Sequence, residues 1–246
     1  MPIEVVTFDW WHTVADTPWP DYDERMRHIR VRGIRNNLRT AGIEVDDATL
    51  YRAYDGFETL LRETWARNEE LHSEQQVESL LAGAGLRDRG DLGDGVSRAF
   101  GEALLENMPV LRPHITDTLA RLKSDGYRIG MISNTGRTWG RFLRTIQDRL
   151  GVARYFDVRV FSDEVGIRKP SREIFHRALD ALHASPASSV HVGDDVEADV
   201  AGARGAGMLA VWYNNGSSIG TEASGADGVI VDFEELSPLL QSWRTA

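Results

Sequence analysis

The chain opens on a strand with no neighbour to pair with. Val5-Val6-Thr7-Phe8 is an apolar, largely β-branched run, the composition of a strand buried on both faces. The expected strand covers residues 3–9, and it breaks at Asp9 into Trp10-Trp11-His12-Thr13. Pro18 and Pro20 keep residues 10–22 out of a helix, so a loop over the strand end is expected. Residues 23–106 then read as helical throughout. A rough spacing of three to four joins Met26, Ile29, Val31, Ile34 and Leu38 in a first helix ending near Gly42. A second covers about 46–68, with Leu50, Tyr54, Phe57, Leu60, Leu61 and Trp65 on one side. Ser73 with Gln76 resembles a capping box that opens a third, running to about Gly83, and a fourth covers about 93–107.

Pro109 and Pro113 mark a boundary, after which helix and strand alternate, as in a parallel sheet covered by helices. Strands are expected at 127–133, 157–161, 189–193 and 208–213, with a short edge strand at Val229–Val231. Helices are expected at 115–125, 137–150, 171–182 and 197–206. Two consecutive domains would leave the first strand orphaned. The economical fold is an α/β, Rossmann-like parallel sheet core with an all-helical cap inserted after its first strand. The expected core is residues 1–16 and 108–246, and the cap is residues 17–107.

A 41% hydrophobic content supports a packed core and rules out a disordered chain. The net charge of −10 argues against nucleic acid as a partner, because phosphate backbones call for a basic face. The chain has no cysteine, which excludes disulfides and thiolate ligands and fits a reducing compartment. The first residues carry no basic segment followed by an apolar run, and no apolar run approaches the roughly 20 residues that cross a bilayer. A soluble cytoplasmic protein without membrane partners, monomer or homodimer, is expected. Lys123 and Lys169 are the only lysines, so a role that needs an amine has two candidates.

Four strand ends carry polar clusters. They are Asp9; Ser133-Asn134-Thr135; Arg168-Lys169-Pro170; and Gly193-Asp194-Asp195. In an open parallel sheet such ends face one crevice. Together they offer a carboxylate nucleophile, hydroxyl and amide donors, a cation and an acidic pair, which is the set required for phosphoryl transfer through an aspartyl phosphate. Asp9, Asp194 and Asp195 form an all-oxygen set suited to Mg²⁺. Lys169 can hold Asp9 and a phosphoryl group together, and Ser133 and Asn134 can bind phosphoryl oxygens.

In order and roughly in spacing, these clusters resemble the four motifs of the haloacid dehalogenase (HAD) superfamily of hydrolases. The helical insertion resembles the C1 cap of its subfamily I. The most specific stretch runs from His191 through Gly193-Asp194-Asp195 to Met208, with Lys169-Pro170 also diagnostic. The resemblance implies a phosphoaspartyl intermediate, Mg²⁺, a backbone carbonyl at Trp11 as metal ligand, and a cap that selects a small phosphorylated substrate.

Motif one departs from the family. The phosphatases carry a second Asp two residues after the nucleophile, where this chain has Trp11. That Asp protonates the leaving group, help worth about 10²–10⁴-fold, and indole has no usable acid at neutral pH. Four readings follow. The leaving group needs no proton, as in an acyl phosphate. His12 substitutes as the acid/base. The protein is a metal-independent 2-haloacid dehalogenase, against which the acidic pair is retained. Or the fold has become a binding or regulatory protein. The first is adopted, with Asp9, Trp11, His12 and Lys169 as catalytic candidates. Trp11 is expected to face the crevice as an aromatic wall and Trp10 to pack beneath the sheet. Asp199 is expected to orient the fourth loop, His191 to be a hydrogen-bonded core residue, Asp163 and Glu164 to be loop solvation, and the first cap helix's arginines (Arg25, Arg27, Arg30, Arg32, Arg35 and Arg39) to form a mostly solvated face from which one could reach the substrate.

Overall fold

The structure is a computed structural model that describes residues 3–216 and 225–245. Eight strands are seen: β1 (Val5–Phe8), β2 (Ala15–Asp16), β3 (Val110–Leu111), β4 (Arg128–Ser133), β5 (Val158–Phe161), β6 (Ser189–Gly193), β7 (Leu209–Tyr213) and β8 (Gly228–Ile230). Six of them form one sheet in the order β5-β4-β1-β6-β7-β8, and every pairing in it is parallel. The first strand therefore lies at the centre, between strands that arrive more than a hundred residues later. Val6 pairs with Ile129 on one side and Val190 on the other. With both faces and both edges covered, β1 has only apolar residues and one threonine, all buried.

Ten α-helices are present among the described residues: α1 (Tyr22–Thr40), α2 (Asp47–Ala66), α3 (Ser73–Gly83), α4 (Gly93–Glu106), α5 (Ile115–Ser124), α6 (Gly140–Arg149), α7 (Ser162–Val165), α8 (Arg172–Ala181), α9 (Gly202–Gly205) and α10 (Leu236–Thr245). The first four pack on one another around Val31, Ile34, Leu38, Leu50, Phe57, Leu80 and Phe100. The chain leaves the sheet after β1 and returns through β2 and β3, an antiparallel pair that joins the two ends of the helical segment. At two residues each, these strands are too short to show a sequence period. α10 also went unread in the sequence, although Leu236 and Leu240 are fully buried in the core under the sheet.

Two local expectations shift. Ser73 is the first helical residue of α3 rather than its cap, and the side chain of Gln75 accepts the backbone N–H of His72 at 2.9 Å. The helix expected at 197–206 starts as a wider π-type turn, Val196–Ala201, before α9. That change of pitch decides which acidic side chains face the site.

One of the contacts that tie the helical segment to the sheet is aromatic. Trp139, just before α6, is fully buried inside the hydrophobic cluster of α1–α4. Its ring stacks on Phe100 at 5.0 Å and 7°, and its indole N–H donates to Gln76 Oε1 at 2.8 Å. No helix of the described residues is long and apolar enough to cross a membrane.

Candidate active site

Asp9 directly follows β1, and its backbone N–H still donates to Val192 of β6 at 2.9 Å. The strand therefore fixes the carboxylate. Lys169 Nζ donates to Asp9 Oδ1 at 2.6 Å and to Asp199 Oδ1 at 2.6 Å, and the lysine is 2% exposed. Behind Asp199 stands His191, whose Nε2 lies 3.1 Å from Asp199 Oδ1. Burial pushes this imidazole below its ordinary pKa, which favours its neutral form. A carboxylate can only accept, so Nε2 carries the hydrogen that faces Asp199, and Nδ1 lies 2.8 Å from the Thr7 hydroxyl. Thr7, His191, Asp199, Lys169 and Asp9 form one buried chain that holds the ammonium against the carboxylate. Asp199 also accepts the backbone N–H of Asp195 at 3.0 Å, the loop-orienting role expected for it. Gly193 makes room: a Cβ there would sit 2.2 Å from Asp199 Cγ.

The acidic set differs from the expected one. Asp195 does not join it: its Oδ1 accepts the N–H groups of Glu197 and Ala198, both at 2.8 Å, and so caps the π-type turn. Those N–H groups have no partner within the turn, and the preceding carboxylate is the natural acceptor. The carboxylates that do meet are Asp9, Asp194 and Asp199, each offering an oxygen within 4.8 Å of the others. Asp194 is held by the Thr13 hydroxyl at 3.1 Å and the Asn215 amide at 3.3 Å.

Three carboxylates around one ammonium leave a net charge of −2 when all are ionised. Burial, outweighing the pull of Lys169 and reinforced by Asp199 and Asp194, raises Asp9 from 3.8 to about 8. Burial and the Asp199 charge raise Asp194 to about 6. Burial opposes the charge on Lys169 too, but Asp199 and Asp9 outweigh it and hold the ammonium well above its ordinary pKa. For Asp199 the lysine and histidine outweigh burial, and its carboxyl lies well below the usual range. The chain's own cation thus compensates Asp199 and leaves Asp9 and Asp194 short of positive charge.

The β4 end divides its roles unexpectedly. Ser133 is 1% exposed and its hydroxyl has no hydrogen-bond partner among the described residues. The Asn134 side chain is turned from the expected substrate role: Oδ1 accepts Lys169 N–H at 2.9 Å and Nδ2 donates to Lys169 O at 3.1 Å. It clamps the backbone of the lysine, whose bond to Pro170 is cis. Asp163, expected to be solvated, is 4% exposed. It accepts the Thr135 hydroxyl at 2.8 Å and the Gly140 N–H at 3.0 Å, tying the loop after β4 to the start of α6. A short helix after β5 that turns inward leaves no apolar period to betray it.

A pocket of about 390 Å³ opens beside these loops, lined by Trp11, His12, Tyr22, Arg30, Trp65, Asn134, Arg137 and Arg168 among others. Trp11 forms part of its wall, with its indole N–H given to the Thr138 hydroxyl at 3.0 Å. Trp10 is fully buried in the core. His12 sits in left-handed backbone (φ 60°) with its side chain 52% exposed and Nδ1 2.9 Å from Asp16 Oδ1. It is a mouth residue, bound to the β2 end. Arg30 departs from the solvated face expected for the arginines of its helix: it is 2% exposed. The signal was there, because Met26, Arg30, Ile34 and Leu38 follow one another at four-residue steps along the buried stripe of α1.

A hydrolase family, the haloacid dehalogenase-like hydrolases, matches residues 3–207, and the chain belongs to it. A glyceraldehyde 3-phosphate phosphatase from Methanothermobacter thermautotrophicus is 40% identical over 126 residues, 49% of this chain and 54% of that protein. A phosphoglycolate phosphatase from Salmonella typhimurium is 31% identical over 147 residues, 58% of this chain and 56% of that protein. The chain spans about half the length of these relatives. Among solved structures, a 2-haloacid dehalogenase from Pseudomonas syringae pv. Tomato matches with a TM-score of 0.71 and 24% identity, over 98% of this chain and 99% of that one. A HAD phosphatase from Thermococcus onnurineus matches with a TM-score of 0.62 and 22% identity, over 98% of both chains. At these identities the structures speak for the fold.

Proposed function

We propose that this chain is a Mg²⁺-dependent hydrolase that takes the phosphoryl group of a small activated metabolite onto Asp9, residues 17–107 acting as a C1-type cap over a core of residues 1–16 and 108–246. The observation that carries the proposal is the buried contact between Lys169 Nζ and Asp9 Oδ1 at 2.6 Å, inside an acidic set with a net negative charge. The phosphatase names of the relatives point the same way.

The donors fit a hard divalent cation. Asp9 and Asp194 are oxygen ligands short of positive charge, and the Trp11 carbonyl is the expected third. Bound there, Mg²⁺ would neutralise the carboxylates and polarise the phosphoryl oxygens. This chain's residues do the rest. Lys169 fixes one oxygen of Asp9, leaving the other to attack phosphorus. The partnerless Ser133 hydroxyl donates to a phosphoryl oxygen. The bond from phosphorus to the leaving oxygen breaks as that from Asp9 forms. Trp11 provides no proton, so the leaving oxygen must depart as an anion, as the carboxylate of an acyl phosphate does. Water then cleaves the aspartyl phosphate, its proton leaving with the inorganic phosphate, and Asp9 is regenerated.

Release of phosphate from acetyl phosphate is expected in Mg²⁺, with loss in EDTA and in Asp9→Asn. Metal-independent halide release from 2-haloacids would favour the dehalogenase reading instead. Absence of both activities and of Mg²⁺ binding would favour a binding or regulatory protein.

A further inference from the structure

The pocket carries three arginines, and they are not alike. Arg137 pairs with Asp23 and Glu58, and Arg168 lies over the Trp65 ring with Glu70 at 3.6 Å. Arg30 forms no ion pair among the described residues. Its Nη1 donates to the Tyr54 hydroxyl at 3.1 Å, its Nη2 to the Arg137 carbonyl at 3.2 Å, and its buried Nε has no partner among the described residues. The guanidinium also faces the Phe100 ring at 5.1 Å. Each of these three partners is neutral, and the side chain is 2% exposed.

A buried cation with only neutral partners lowers stability, because its lost hydration is not returned by an opposite charge. At this position on the apolar stripe of α1, a methionine or leucine would pack without that penalty. A charge kept where it destabilises the free protein has its natural counter-ion elsewhere, and this one lines the pocket beside Trp11 and Asn134. We infer that Arg30 is a specificity-determining residue that binds a second anionic group of the substrate, carried on the part that leaves with the departing oxygen. The inference rests on the phosphoryl-transfer reading of the site. A guanidinium whose Nε–H has no partner among the described residues suits a carboxylate or a second phosphate, both of which accept charge-assisted hydrogen bonds. The pocket then selects dianionic metabolites in which an anionic tail accompanies the phosphoryl group.

Inert analogues test this without turnover. Calorimetry in Mg²⁺ compares ethylphosphonate, which has no tail charge, with 3-phosphonopropionate and 1,3-propanediphosphonate. The wild-type protein is expected to bind one of the two charged analogues at least about tenfold more tightly than ethylphosphonate, as a charge-assisted hydrogen bond provides. Whichever is tighter identifies the tail as carboxylate or phosphate. Arg30→Met is expected to bring all three analogues to similar affinity while the ligand-free melting temperature holds or rises. Arg30→Lys keeps the charge without the fork and is expected to retain part of the preference. Full preference retained in Arg30→Met, or equal binding of all three analogues by the wild-type protein, overturns the assignment of Arg30 and leaves the phosphoryl reading standing. Failure of any phosphonate to bind overturns both.

Discussion

Replacing Lys169 by methionine is the most demanding test of the buried network. Methionine matches the lysine stem in length and removes only the ammonium, which now sits 2.6 Å from both Asp9 Oδ1 and Asp199 Oδ1. All three side chains are nearly sealed from water: Lys169 is 2% exposed, Asp199 1% and Asp9 8%. Solvent screening is therefore small. Removing one partner of a buried pair typically costs about 3–5 kcal/mol, because the remaining charge stays uncompensated. For a chain of this size each kcal/mol moves the melting temperature by about 2–4 °C, so a drop of roughly 6–20 °C is expected at pH 7 in EDTA. Asp199→Asn in the same background deletes the carboxylate that the lost ammonium leaves stranded and is expected to return a substantial part of the loss. The loss is also expected to shrink at pH 5, where that carboxylate, without its lysine, can take up a proton. Thermal unfolding of the two single variants and the double variant measures all of this as a mutant cycle. A drop below about 1 kcal/mol in Lys169→Met, with no coupling to Asp199, would refute the claim that the lysine neutralises this cluster.

Three other outcomes follow from the same geometry. Trp11→Asp restores a carboxyl where the family's phosphatases have one. Turnover of simple alkyl phosphates is expected to rise by up to about 10²–10⁴-fold, read as phosphate release; no gain would mean that another group or the substrate already provides the proton. Because Asp9 is raised to about 8 and Asp194 to about 6, the folded metal-free protein holds protons that the unfolded chain releases, and this contribution to stability falls as pH rises from about 4 to 8. Asp194→Asn is accordingly expected to stabilise the EDTA-treated protein relative to wild type more at pH 8 than at pH 5, and Mg²⁺ to raise the wild-type melting temperature most at pH 8. Trp139→Ala empties a buried site stacked on Phe100, with an expected loss of about 3–5 kcal/mol by chemical denaturation.

Much of the architecture could be read along the chain, for physical reasons. Strands buried on both faces must be apolar, so β1, β4, β6 and β7 announce themselves, and the polar residues that follow them mark the sheet's working end. Proximity of Asp9, Lys169 and Asp194 follows from that topology alone. What could not be read depends on side-chain direction. Asp194, Asp195 and Asp199 are equally acidic in sequence, and the pitch of the turn at Val196–Ala201 sends Asp195 to its cap and Asp199 to Lys169. Asn134 resembles a ligand donor until its amide is seen clamping the backbone of Lys169. Arg30 was masked by its neighbours: six arginines between residues 25 and 39 make a solvated face the natural expectation, and the stripe position of one of them is easily missed.

The central claim is that Asp9 attacks phosphorus, and trapping the product of that attack tests it most directly. Wild-type protein mixed with acetyl phosphate and Mg²⁺, quenched in acid within seconds and digested, is expected to carry one phosphoryl group on the peptide that contains Asp9. With no acid/base carboxyl at Trp11, the adduct is expected to persist long enough to be captured. Phosphate released with that peptide unmodified at every quench time, or a phosphoryl group found on Ser133 or His12 instead, would contradict the account.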